Sequence, residues 1–472
     1  MSDDAGKSRS ARRTLTLAMI AKDEGERLAE CLSSASPIID EIVVVDTGST
    51  DNTIEVARRF DAKTFSYEWS DDFSAARNES LRHATGDWVM VLDADEIVTP
   101  DDLPRIREFV DRDEFDAVQF VLANYSDECQ SMWWTPVDES SAPARGYSGY
   151  IRVPLVRMWR NKAEYRFRGC VHETVVESIR EAGGRIAETD IVIHHYGKNS
   201  RAPEKSRFYA NLGMRNVSER PNDSKAHYDL AVQLKELDRL DEAESHYREA
   251  LSLDPDSSLA RSGLVEVLAR GGRLAEAQTI LEKMERDDAA PNVSVNLAAI
   301  GMKRGDLESA MERLSAAVTR NPADVVARIY LGKVHERCGD TQSAEEAYRG
   351  AVEACPAFAP AQAALNAFRM RMEASELLDA ADAPGALRLL KDAVNEEPAD
   401  AMTYAELGPV LMLLGQGEAA YRMLLRALES EPRLAVARRK FMEVAELLNK
   451  TEEAEMVLAA LEGSCVMERG GG

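Results

Sequence analysis

A repeat of about 34 residues runs through the second half of this 472-residue sequence. Each copy has a small residue, an aromatic or large apolar residue four positions later, and usually a small or apolar residue seven positions later. Successive copies are 33 or 34 residues apart, except for one interval of 42 residues. The first residues of the copies are Ala243, Ala277, Ala310, Ala344, Ala386, Ala420 and Ala454. A unit this short cannot bury its apolar face alone, so the repeat predicts helical pairs that stack on their neighbours.

Helix-breaking residues recur at a constant phase of this repeat. Proline cannot continue a helix, and it follows most copies, as in Asp254-Pro255 and Asn321-Pro322. The pattern resembles the tetratricopeptide repeat, in seven copies over residues 226–463, with an eight-residue insertion near residues 366–384. This resemblance implies an all-α solenoid with a groove that usually takes a peptide or protein segment. An unrelated helical bundle is the alternative, and the regular spacing argues against it.

The composition argues against several classes of partner. The chain has 58 Lys and Arg against 83 Asp and Glu, a formal net charge of −25, whereas nucleic acids and anionic membranes select basic surfaces. No run of about 18 apolar residues occurs, so we expect no membrane-spanning helix. The short apolar run near the N-terminus ends in Lys22-Asp23-Glu24, which argues against a secretory signal. Six cysteines without close pairs fit reduced thiols, and we therefore expect a cytoplasmic protein.

Acidic residues follow apolar runs in the first half of the chain. Residues 15–21, 42–46 and 88–92 predict buried strands, with helical segments between them. This alternation predicts an α/β sheet that is mostly parallel, in which ligands bind beyond the carboxyl ends of the strands. Asp46 ends the second run, and Asp93-Ala94-Asp95-Glu96 follows the third. Carboxylates gathered at one edge favour a bound cation, and Mg²⁺ or Mn²⁺ prefers such oxygen ligands.

A series of motifs spans these runs. In order, they are MIAKDE from Met19, IVVVDTGSTDNT from Ile42, and SAARNESLRHATGDWVMVLDADE from Ser74. They resemble the nucleotide-sugar half of family 2 glycosyltransferases, which have the GT-A fold. The resemblance is strong over residues 15–100 and weak over residues 100–200. It implies a hexosyltransferase that uses a UDP-sugar as donor.

The resemblance also implies roles for single residues. Ala21 would line the nucleoside, and Asp46 would accept a hydrogen bond from the uracil ring. Arg77 would face the base or the diphosphate, although an ion pair with an acidic neighbour is the alternative. Asp93 would hold the ribose or the sugar, and Asp95 of the same Asp-x-Asp motif would ligate the metal, Mn²⁺ or Mg²⁺.

The catalytic base must come from residues 100–200, because displacement at the sugar requires a group that takes the acceptor's proton. The family usually uses a carboxylate, often in a Glu-Asp pair, and this segment contains no such pair. Glu173 is the candidate base, with His172 beside it as a base or an orienting residue. His194-His195 ends the last predicted strand. Consecutive strand residues face opposite sides, and a late histidine often completes a GT-A metal site. We therefore assign His195 to the metal, with a buried structural histidine as the alternative.

Two further segments have open roles. Residues 151–170 hold six basic residues against one acidic residue, and they could serve the diphosphate, dock an acidic acceptor or form a solvated strand face. Trp133-Trp134 lies in an irregular stretch over about residues 125–149. These rings could stack on a sugar or peptide, or pack within a loop that covers the site.

The sequence thus predicts an α/β GT-A nucleotide-sugar domain over residues 14–200, a helical linker over residues 201–225 and an all-α tetratricopeptide-repeat domain over residues 226–463. This architecture resembles the peptide S-glycosyltransferases and the repeat-bearing flagellin glycosyltransferases. It implies a metal-dependent, inverting enzyme that moves glucose or N-acetylglucosamine from UDP to a Ser, Thr or Cys side chain. The acceptor would be a peptide or protein presented by the repeat groove.

Alternatives to this functional interpretation concern the acceptor and the activity itself. The acceptor could instead be a lipid-linked or polysaccharide glycan. A non-catalytic repeat scaffold is opposed by the intact acidic residues, and nucleotidyl transfer would need a Gly-rich basic signature that residues 22–25 do not supply. The repeat surface could also bind a second copy of the chain, which would give a homo-oligomer.

Overall fold

The chain forms two compact units in a computed structural model, which describes residues 12–127, 129, 131–137, 142–197, 203–287, 292–356 and 358–466. The first unit comprises the chain to Asp127 together with Pro143–Asp254. The second comprises Glu128–Ala142 and the chain from Pro255. The predicted boundary between residues 200 and 201 lies outside the described residues.

A mixed β-sheet forms the centre of the first unit. The strands are β1 Leu15–Ala21, β2 Glu41–Asp46, β3 Lys63–Ser66, β4 Trp88–Val91, β5 Glu96–Val98, β6 Ala117–Ser126, β8 Gly149–Arg160 and β9 Ile186–His195, whereas β7 Trp134–Pro136 belongs to the second unit. Their order is β3-β2-β1-β4-β8-β6-β9-β5. The pairs β2–β3, β1–β2 and β1–β4 are parallel, as predicted. Beyond β4 the sheet is mixed, because β8 runs antiparallel to both β4 and β6.

Helices with one apolar face pack against this sheet. The first helix has buried residues at positions 25, 28, 31, 32 and 35, the spacing that places them on one face. Leu28 and Leu32 share a core with Leu17 of β1 and Met90 of β4. The helices of the first unit are α1 Gly25–Ala35, α2 Thr53–Arg59, α3 Phe73–His83, α4 Leu103–Asp111, α5 Val176–Glu181, α6 Pro203–Glu219, α7 Ser224–Glu236 and α8 Leu240–Leu253.

The rest of the chain is a series of helix pairs. These helices are α9 Ser258–Arg270, α10 Leu274–Arg286, α11 Val293–Arg304, α12 Leu307–Arg320, α13 Val325–Cys338, α14 Thr341–Ala354, α15 Ala359–Asp379, α16 Ala383–Glu396, α17 Ala401–Leu413, α18 Gly417–Ser430, α19 Ala435–Leu447 and α20 Thr451–Val466. Together with α7 and α8 they make the seven predicted pairs. The first pair clusters with the first unit.

The predicted repeat residues lie on the second helix of each pair. Every alanine that starts a copy is at most 1% exposed, and Tyr247 and Tyr348, four positions further on, are equally buried. Small residues let the two helices approach, and the large side chain fills the space between them. The prolines stand where the second helices end, for example after Leu253 of α8 and after Arg320 of α12. The prediction of tetratricopeptide-like helix pairs is confirmed.

The one long interval in the repeat lengthens a single helix. Helix α15 has 21 residues, whereas α13 has 14 and α17 has 13. The eight extra residues therefore add about two helical turns rather than a loop. None of the helices in the described part of the chain combines the length and the apolar character that spanning a bilayer requires.

Candidate active site

A cleft opens at the carboxyl ends of the parallel strands in the first unit. Its volume is about 1660 Å³, and all its lining residues belong to that unit. Strand β1 ends at Ala21, which lines the cleft, and β4 is followed by Asp93 and Asp95, which also line it. The acidic residues therefore lie at the sheet edge where α/β proteins bind ligands, as predicted.

Strand pairing brings the late histidine to the Asp-x-Asp motif. The antiparallel pair β5–β9 places Glu96 opposite His195, and the Tyr196 N–H donates to the Asp95 carbonyl oxygen at 3.1 Å. As a result, His195 Nε2 lies 3.4 Å from Asp95 Oδ2. On the other side of β9, Asn124 of β6 lies opposite His195, and its Oδ1 accepts a hydrogen bond from His195 Nδ1. This contact leaves Nε2 of a neutral imidazole with its lone pair facing Asp95.

His194 faces the opposite side of the strand, as the alternation predicts. Its Nδ1 lies 2.9 Å from the Tyr125 hydroxyl, and it is 7% exposed. His194 does not line the cleft, whereas His195 does.

Two arginines hold Asp93. Arg77 Nη2 donates to Asp93 Oδ1 at 2.6 Å, and Arg157 Nη2 lies 3.0 Å from Oδ2. Burial by itself would raise the pKa of Asp93, but the two guanidinium groups outweigh it and hold that pKa well below its usual range. Asp93 is therefore a fixed, ionised carboxylate. Arg77 does form the ion pair that its alternative interpretation predicted, and it lines the cleft at the same time.

Arg157 also pairs with Glu96, the residue that begins β5. Glu96 is 1% exposed, and its Oε2 accepts a hydrogen bond from the Asp93 backbone N–H at 2.9 Å. Burial raises the pKa of Glu96 to about 7, with Arg157 opposing this shift and Asp93 adding to it. Asp93, Glu96 and Arg157 therefore form one network of ion pairs, in which Glu96 and Arg157 are buried and each charge depends on the other two.

The candidate base is tied to the same network. Arg77 Nε donates to Glu173 Oε1, so one guanidinium group bridges Asp93 and Glu173. Arg77 projects from α3, whose first turn is capped by Asp72 through a hydrogen bond from the Ala75 N–H. Both Glu173 and Arg77 line the cleft. Arg77 and Glu173 are 96 positions apart in the sequence, and the fold brings them into direct contact.

His172 has an unusual backbone conformation. Its φ is 51°, in the left-handed region that residues with a side chain rarely adopt. The Lys225 ammonium group donates to the His172 carbonyl oxygen at 2.8 Å, which helps to hold this turn. Strain of this kind persists where surrounding contacts fix it, and it is concentrated at functional sites. His172 and Glu173 both line the cleft.

The two helices that follow the sheet form one wall of the cleft. Lys205, Phe208 and Tyr209 of α6 line it, together with Lys225 of α7. Phe208 is 37% exposed, and the Tyr209 ring lies 6.0 Å from the ring of Phe73, which also lines the cleft. This wall therefore adds aromatic and cationic groups to the lining of the cleft. The predicted linker segment therefore contributes to the candidate site.

Asp46 has a local structural contact. Its carboxylate accepts hydrogen bonds from the Ser49 backbone N–H at 3.1 and 3.3 Å, which closes the turn after β2. Asp46 is half-buried and does not line the cleft, although its neighbour Thr47 does. Its uracil-binding role stays a prediction.

The basic segment over residues 151–170 has mainly structural contacts. Only Arg157 among its six basic residues lines the cleft. Arg160 donates to the Phe115 and Arg112 carbonyl oxygens, Lys162 pairs with Asp116, and Arg168 pairs with Glu181. The local excess of positive charge therefore does not form a single diphosphate-binding surface.

Trp133 and Trp134 belong to the second unit. Trp134 is 1% exposed, and its ring centroid lies 5.2 Å from that of Phe358. Trp133 Nε1 donates to the Ser262 hydroxyl of α9 at 2.9 Å. The ring of Trp134 is therefore not free to stack on a sugar or peptide, because it packs against Phe358 among the repeat helices.

The acidic edge has protein cations beside it. Arg27 Nη1 lies 3.3 Å from Asp95 Oδ2, and Arg77 and Arg157 balance Asp93. The charge of the edge alone therefore does not require a metal. Among the described residues, no group of three or more His, Cys, Asp or Glu side chains is placed to hold a metal ion. Asp95 and His195 nevertheless fit a divalent ion as a pair, if oxygens of a bound diphosphate complete the coordination.

Sequence patterns missed three residues that shape this site. Arg157, Arg27 and Asn124 reach it through strand and helix packing. Arg27 reaches the site from the first turn of α1, which begins at Gly25. Arg157 depends on the antiparallel pairing of β8 with β4, and Asn124 depends on the parallel pairing of β6 with β9; neither pairing follows from a local sequence pattern.

Models of known families match both halves of the chain. The glycosyl transferase family 2 model matches residues 16–167. Two tetratricopeptide-repeat models match residues 234–299 and 300–357.

Individual relatives share this architecture in part. The chain is 31% identical over 326 residues to a TPR repeat-containing protein of Synechococcus elongatus, covering 67% of this chain and 68% of that protein. It is 26% identical over 253 residues to the SPbeta prophage-derived glycosyltransferase SunS of Bacillus subtilis, covering 52% of this chain and 56% of SunS. A solved structure of glucosyl-3-phosphoglycerate synthase from Mycobacterium tuberculosis, in complex with Mn²⁺ and UDP-glucose, is 16% identical and covers 44% of this chain and 78% of that one, with a TM-score of 0.31. From its relatives and its matched domains, this chain belongs to the family 2 glycosyltransferases that carry C-terminal tetratricopeptide repeats.

Proposed function

We propose that the protein is a metal-dependent, inverting glycosyltransferase that moves a hexose from a UDP-sugar to a Ser, Thr or Cys side chain of a peptide or protein. The observation that carries this proposal is the arrangement around Arg77. One guanidinium group ties Asp93 of the donor motif to Glu173, and Asp95 and His195 stand beside them in the same cleft.

On the donor side, Asp95 and His195 would hold Mn²⁺ or Mg²⁺. A divalent ion bound there supplies charge stabilisation for the departing diphosphate. Asp93, ionised and fixed by two arginines, accepts hydrogen bonds from hydroxyl groups of the ribose or the sugar. Ala21 leaves room for the nucleoside beside β1, and Asp46 and the turn after it complete the uracil side.

On the acceptor side, Glu173 accepts the proton of the attacking hydroxyl or thiol. Arg77 holds Glu173 Oε1 and leaves Oε2 to face the acceptor. The same arginine fixes the distance between the base and the sugar-binding carboxylate, so the acceptor meets the anomeric carbon in a constant orientation. Attack opposite the UDP leaving group inverts the configuration in one displacement.

A peptide acceptor is supported by the composition of the cleft wall and by the architecture. The α6 wall presents Phe208, Tyr209 and Lys205, which suit an extended peptide with apolar and acidic side chains. Tetratricopeptide repeats present concave surfaces that bind peptides, and we propose that the repeat unit presents the acceptor protein. SunS, a relative over about half of its length, is named a glycosyltransferase, which agrees with sugar transfer but leaves the acceptor open.

The test is UDP release from a panel of UDP-sugars with Mn²⁺, with and without a chelator. The wild-type chain is compared with Asp95→Ala and with Asp111→Ala, a control at an exposed position away from the cleft. The proposal is supported if UDP release requires the metal, is lost in Asp95→Ala and is kept in Asp111→Ala. The UDP-sugar that gives this release identifies the sugar.

UDP binding in the same samples, followed by calorimetry, separates the remaining outcomes. Binding without release means that an acceptor is obligatory, and candidate peptides are then added. Absence of UDP binding with every sugar contradicts the proposed donor. Transfer to a lipid-linked glycan but not to any peptide contradicts the proposed acceptor.

A further inference from the structure

A short turn from the first half of the sequence is buried in the second unit. The chain leaves the first unit after Asp127 and returns at Pro143. Between these points, Ser131–Trp134 form a turn closed by a hydrogen bond from the Trp134 N–H to the Ser131 carbonyl oxygen at 3.1 Å. None of the described residues 131–137 is exposed. The turn is not part of any repeat, yet two of its side chains, Met132 and Trp134, are 7% and 1% exposed.

One asparagine donates three hydrogen bonds to the carbonyl oxygens of this turn. The Asn292 backbone N–H donates to Met132 at 3.2 Å, and Asn292 Nδ2 donates to Ser131 and to Trp134, both at 3.0 Å. An asparagine has one backbone and two side-chain N–H donors, so all its donors are used on the turn. Asn292 is 6% exposed, which makes these hydrogen bonds difficult to replace with water.

The Asn292 side chain contacts the turn instead of capping the helix that follows it. It stands immediately before α11, where an asparagine side chain normally accepts a hydrogen bond from the first helical N–H groups. Here the side chain makes no such cap, because its amide group faces the turn instead. The position is therefore arranged for recognition of another segment rather than for the stability of its own helix.

Two indole rings anchor the turn on both sides of Asn292. Trp134 is inserted beside Phe358, which precedes α15 and is 1% exposed. Trp133 donates through Nε1 to Ser262 of α9 at 2.9 Å. The contacts thus run from the second to the fifth helix pair. They involve backbone carbonyl groups, two indole rings and a serine hydroxyl group.

We propose that the repeat unit carries a recognition site for a tryptophan-bearing peptide turn, centred on Asn292, and that the chain's own Ser131–Trp134 occupies it as an internal ligand. A tethered ligand acts at an effective concentration of about millimolar, which excludes most free competitors. An acceptor or partner that the repeats bind must then use another part of their surface, or displace this turn. The inference is independent of the proposed chemistry, because it concerns only contacts within the second unit.

The first test removes the asparagine donors and keeps a good helix cap. Asn292→Ser in the full-length chain leaves a residue that caps α11 well but has no amide group to reach the turn. The control is Asn296→Ala, on the next turn of the same helix, whose side chain donates to the Asn292 carbonyl oxygen and not to the turn. We expect chymotrypsin to cleave after Trp133 or Trp134 about tenfold faster or more in Asn292→Ser than in Asn296→Ala. Equal cleavage in the two variants overturns the proposal.

The second test uses a labelled peptide, Ser-Met-Trp-Trp-Thr-Pro-Val, with the sequence of residues 131–137. Trp134→Ala weakens the internal ligand and keeps Asn292, so this full-length variant should bind the peptide saturably. The wild-type chain should bind it at least about tenfold more weakly, because its site is filled. The peptide with alanine in place of the second tryptophan, and the variant with both Trp134→Ala and Asn292→Ser, should not bind.

Equal binding by wild type and Trp134→Ala overturns the internal-ligand part of the proposal. Absence of binding by a folded Trp134→Ala chain overturns the recognition site. If Trp134→Ala does not fold, as its helical circular dichroism would reveal, the cleavage comparison of Asn292→Ser with Asn296→Ala decides.

Discussion

The imidazole Nε2 of His195 lies 3.4 Å from Oδ2 of Asp95, although 100 positions separate the two residues in the chain. The contact depends on β9 running antiparallel to the short strand β5, directly after the Asp-x-Asp motif. A divalent ion between the two side chains would couple β9 to the Asp-x-Asp motif. This contact with Asp95 accounts for a histidine at the end of β9.

Asn124 is expected to position His195 for this ion. Its Oδ1 accepts from His195 Nδ1, so loss of the amide group frees the ring to rotate and to change its tautomer. We expect Asn124→Ala to weaken Mn²⁺ binding in the presence of UDP by about 10- to 100-fold. The measurement is electron paramagnetic resonance of free Mn²⁺ during titration. Gln119→Ala is the control, because Gln119 lines the cleft from the same strand. Equal affinities in the two variants would contradict a positioning role.

Local sequence patterns predicted residues that line the cleft, but not the residues that contact them. The strand over residues 15–21 has the predicted bounds, since a buried parallel strand reads as an unbroken apolar run. Residues at the carboxyl ends of parallel strands meet at one edge, which is why Ala21 at the end of β1 and Asp93 after β4 line the same cleft. Arg157 was visible only as one of six basic residues in its segment. Its selection depends on the pairing of β8 with β4, and side-chain alternation does not encode which strands pair.

In the repeat unit, too, local structure was predictable from the sequence, whereas contacts between distant segments were not. Each copy is a local pattern of small and large residues, so its helix pairs were predictable, as was the insertion that lengthens α15. The place of Trp134 was not, because its contacts with Asn292 and Phe358 join distant parts of the chain. Two adjacent tryptophans in an irregular segment indicate only that something apolar must cover them.

Arg77 is expected to be irreplaceable by lysine. Its planar guanidinium group contacts Asp93 and Glu173 at once, whereas a lysine ammonium group at the end of a flexible chain cannot span both carboxylates. We expect Arg77→Lys to lower kcat by about 100-fold or more, with the net charge unchanged. Arg82→Lys is the control, on the exposed face of the same helix, where Arg82 pairs with Glu79. A kcat for Arg77→Lys within about threefold of the control would show that the bridge is not needed.

Arg157 is expected to be required for folding more than for binding. Its removal leaves the fully buried Glu96 without its positive partner and takes one of two arginines from Asp93. We expect Arg157→Met to lower the free energy of unfolding of the first unit by about 3–5 kcal/mol. Adding Glu96→Gln to the same chain should recover part of this loss. Urea denaturation measures it, and Arg152→Met, at an exposed position of the same strand, is the control. No recovery in the double variant would contradict the coupling.

Glu41 is expected to make the stability of the first unit depend on acid pH. Its carboxylate accepts hydrogen bonds from Thr16 at 2.6 Å, from the Thr85 N–H at 2.7 Å and from Lys63. Burial would raise the pKa of Glu41, but these donors outweigh it and lower that pKa to about 2 from about 4.5. The carboxylate therefore contributes stability that is fully present above pH 4.5 and is lost as pH falls towards 2.

The corresponding variant is Glu41→Gln. Near pH 7 it should lower the free energy of unfolding by about 2–3 kcal/mol, and this difference should shrink between pH 4.5 and pH 2. Amide exchange protection of β1 and β4 measures the first unit alone. A difference that stays constant down to pH 2.5 would mean that the pKa of Glu41 is not depressed. Because Glu41 does not line the cleft, the sugar-transfer rate below the unfolding temperature should be unchanged.

Two glycines within repeat helices should respond in opposite directions to the same substitution. At Gly408 of α17, an added Cβ would stand 2.5–2.9 Å from three carbon atoms of Leu424, a side chain that is fully buried on α18. At Gly350 of α14, the one contact below 3 Å is with the terminal Nη1 of Arg328, which can swing aside. Alanine favours a helix interior over glycine by about 1 kcal/mol, whereas overpacking a core costs about 1–3 kcal/mol. Gly350→Ala should therefore stabilise its helix pair and Gly408→Ala should destabilise its own, as measured by amide exchange of α13–α14 and α17–α18. The same sign for both variants would mean that helix pairs in this unit adjust their separation freely, against the close approach that the repeat pattern indicates.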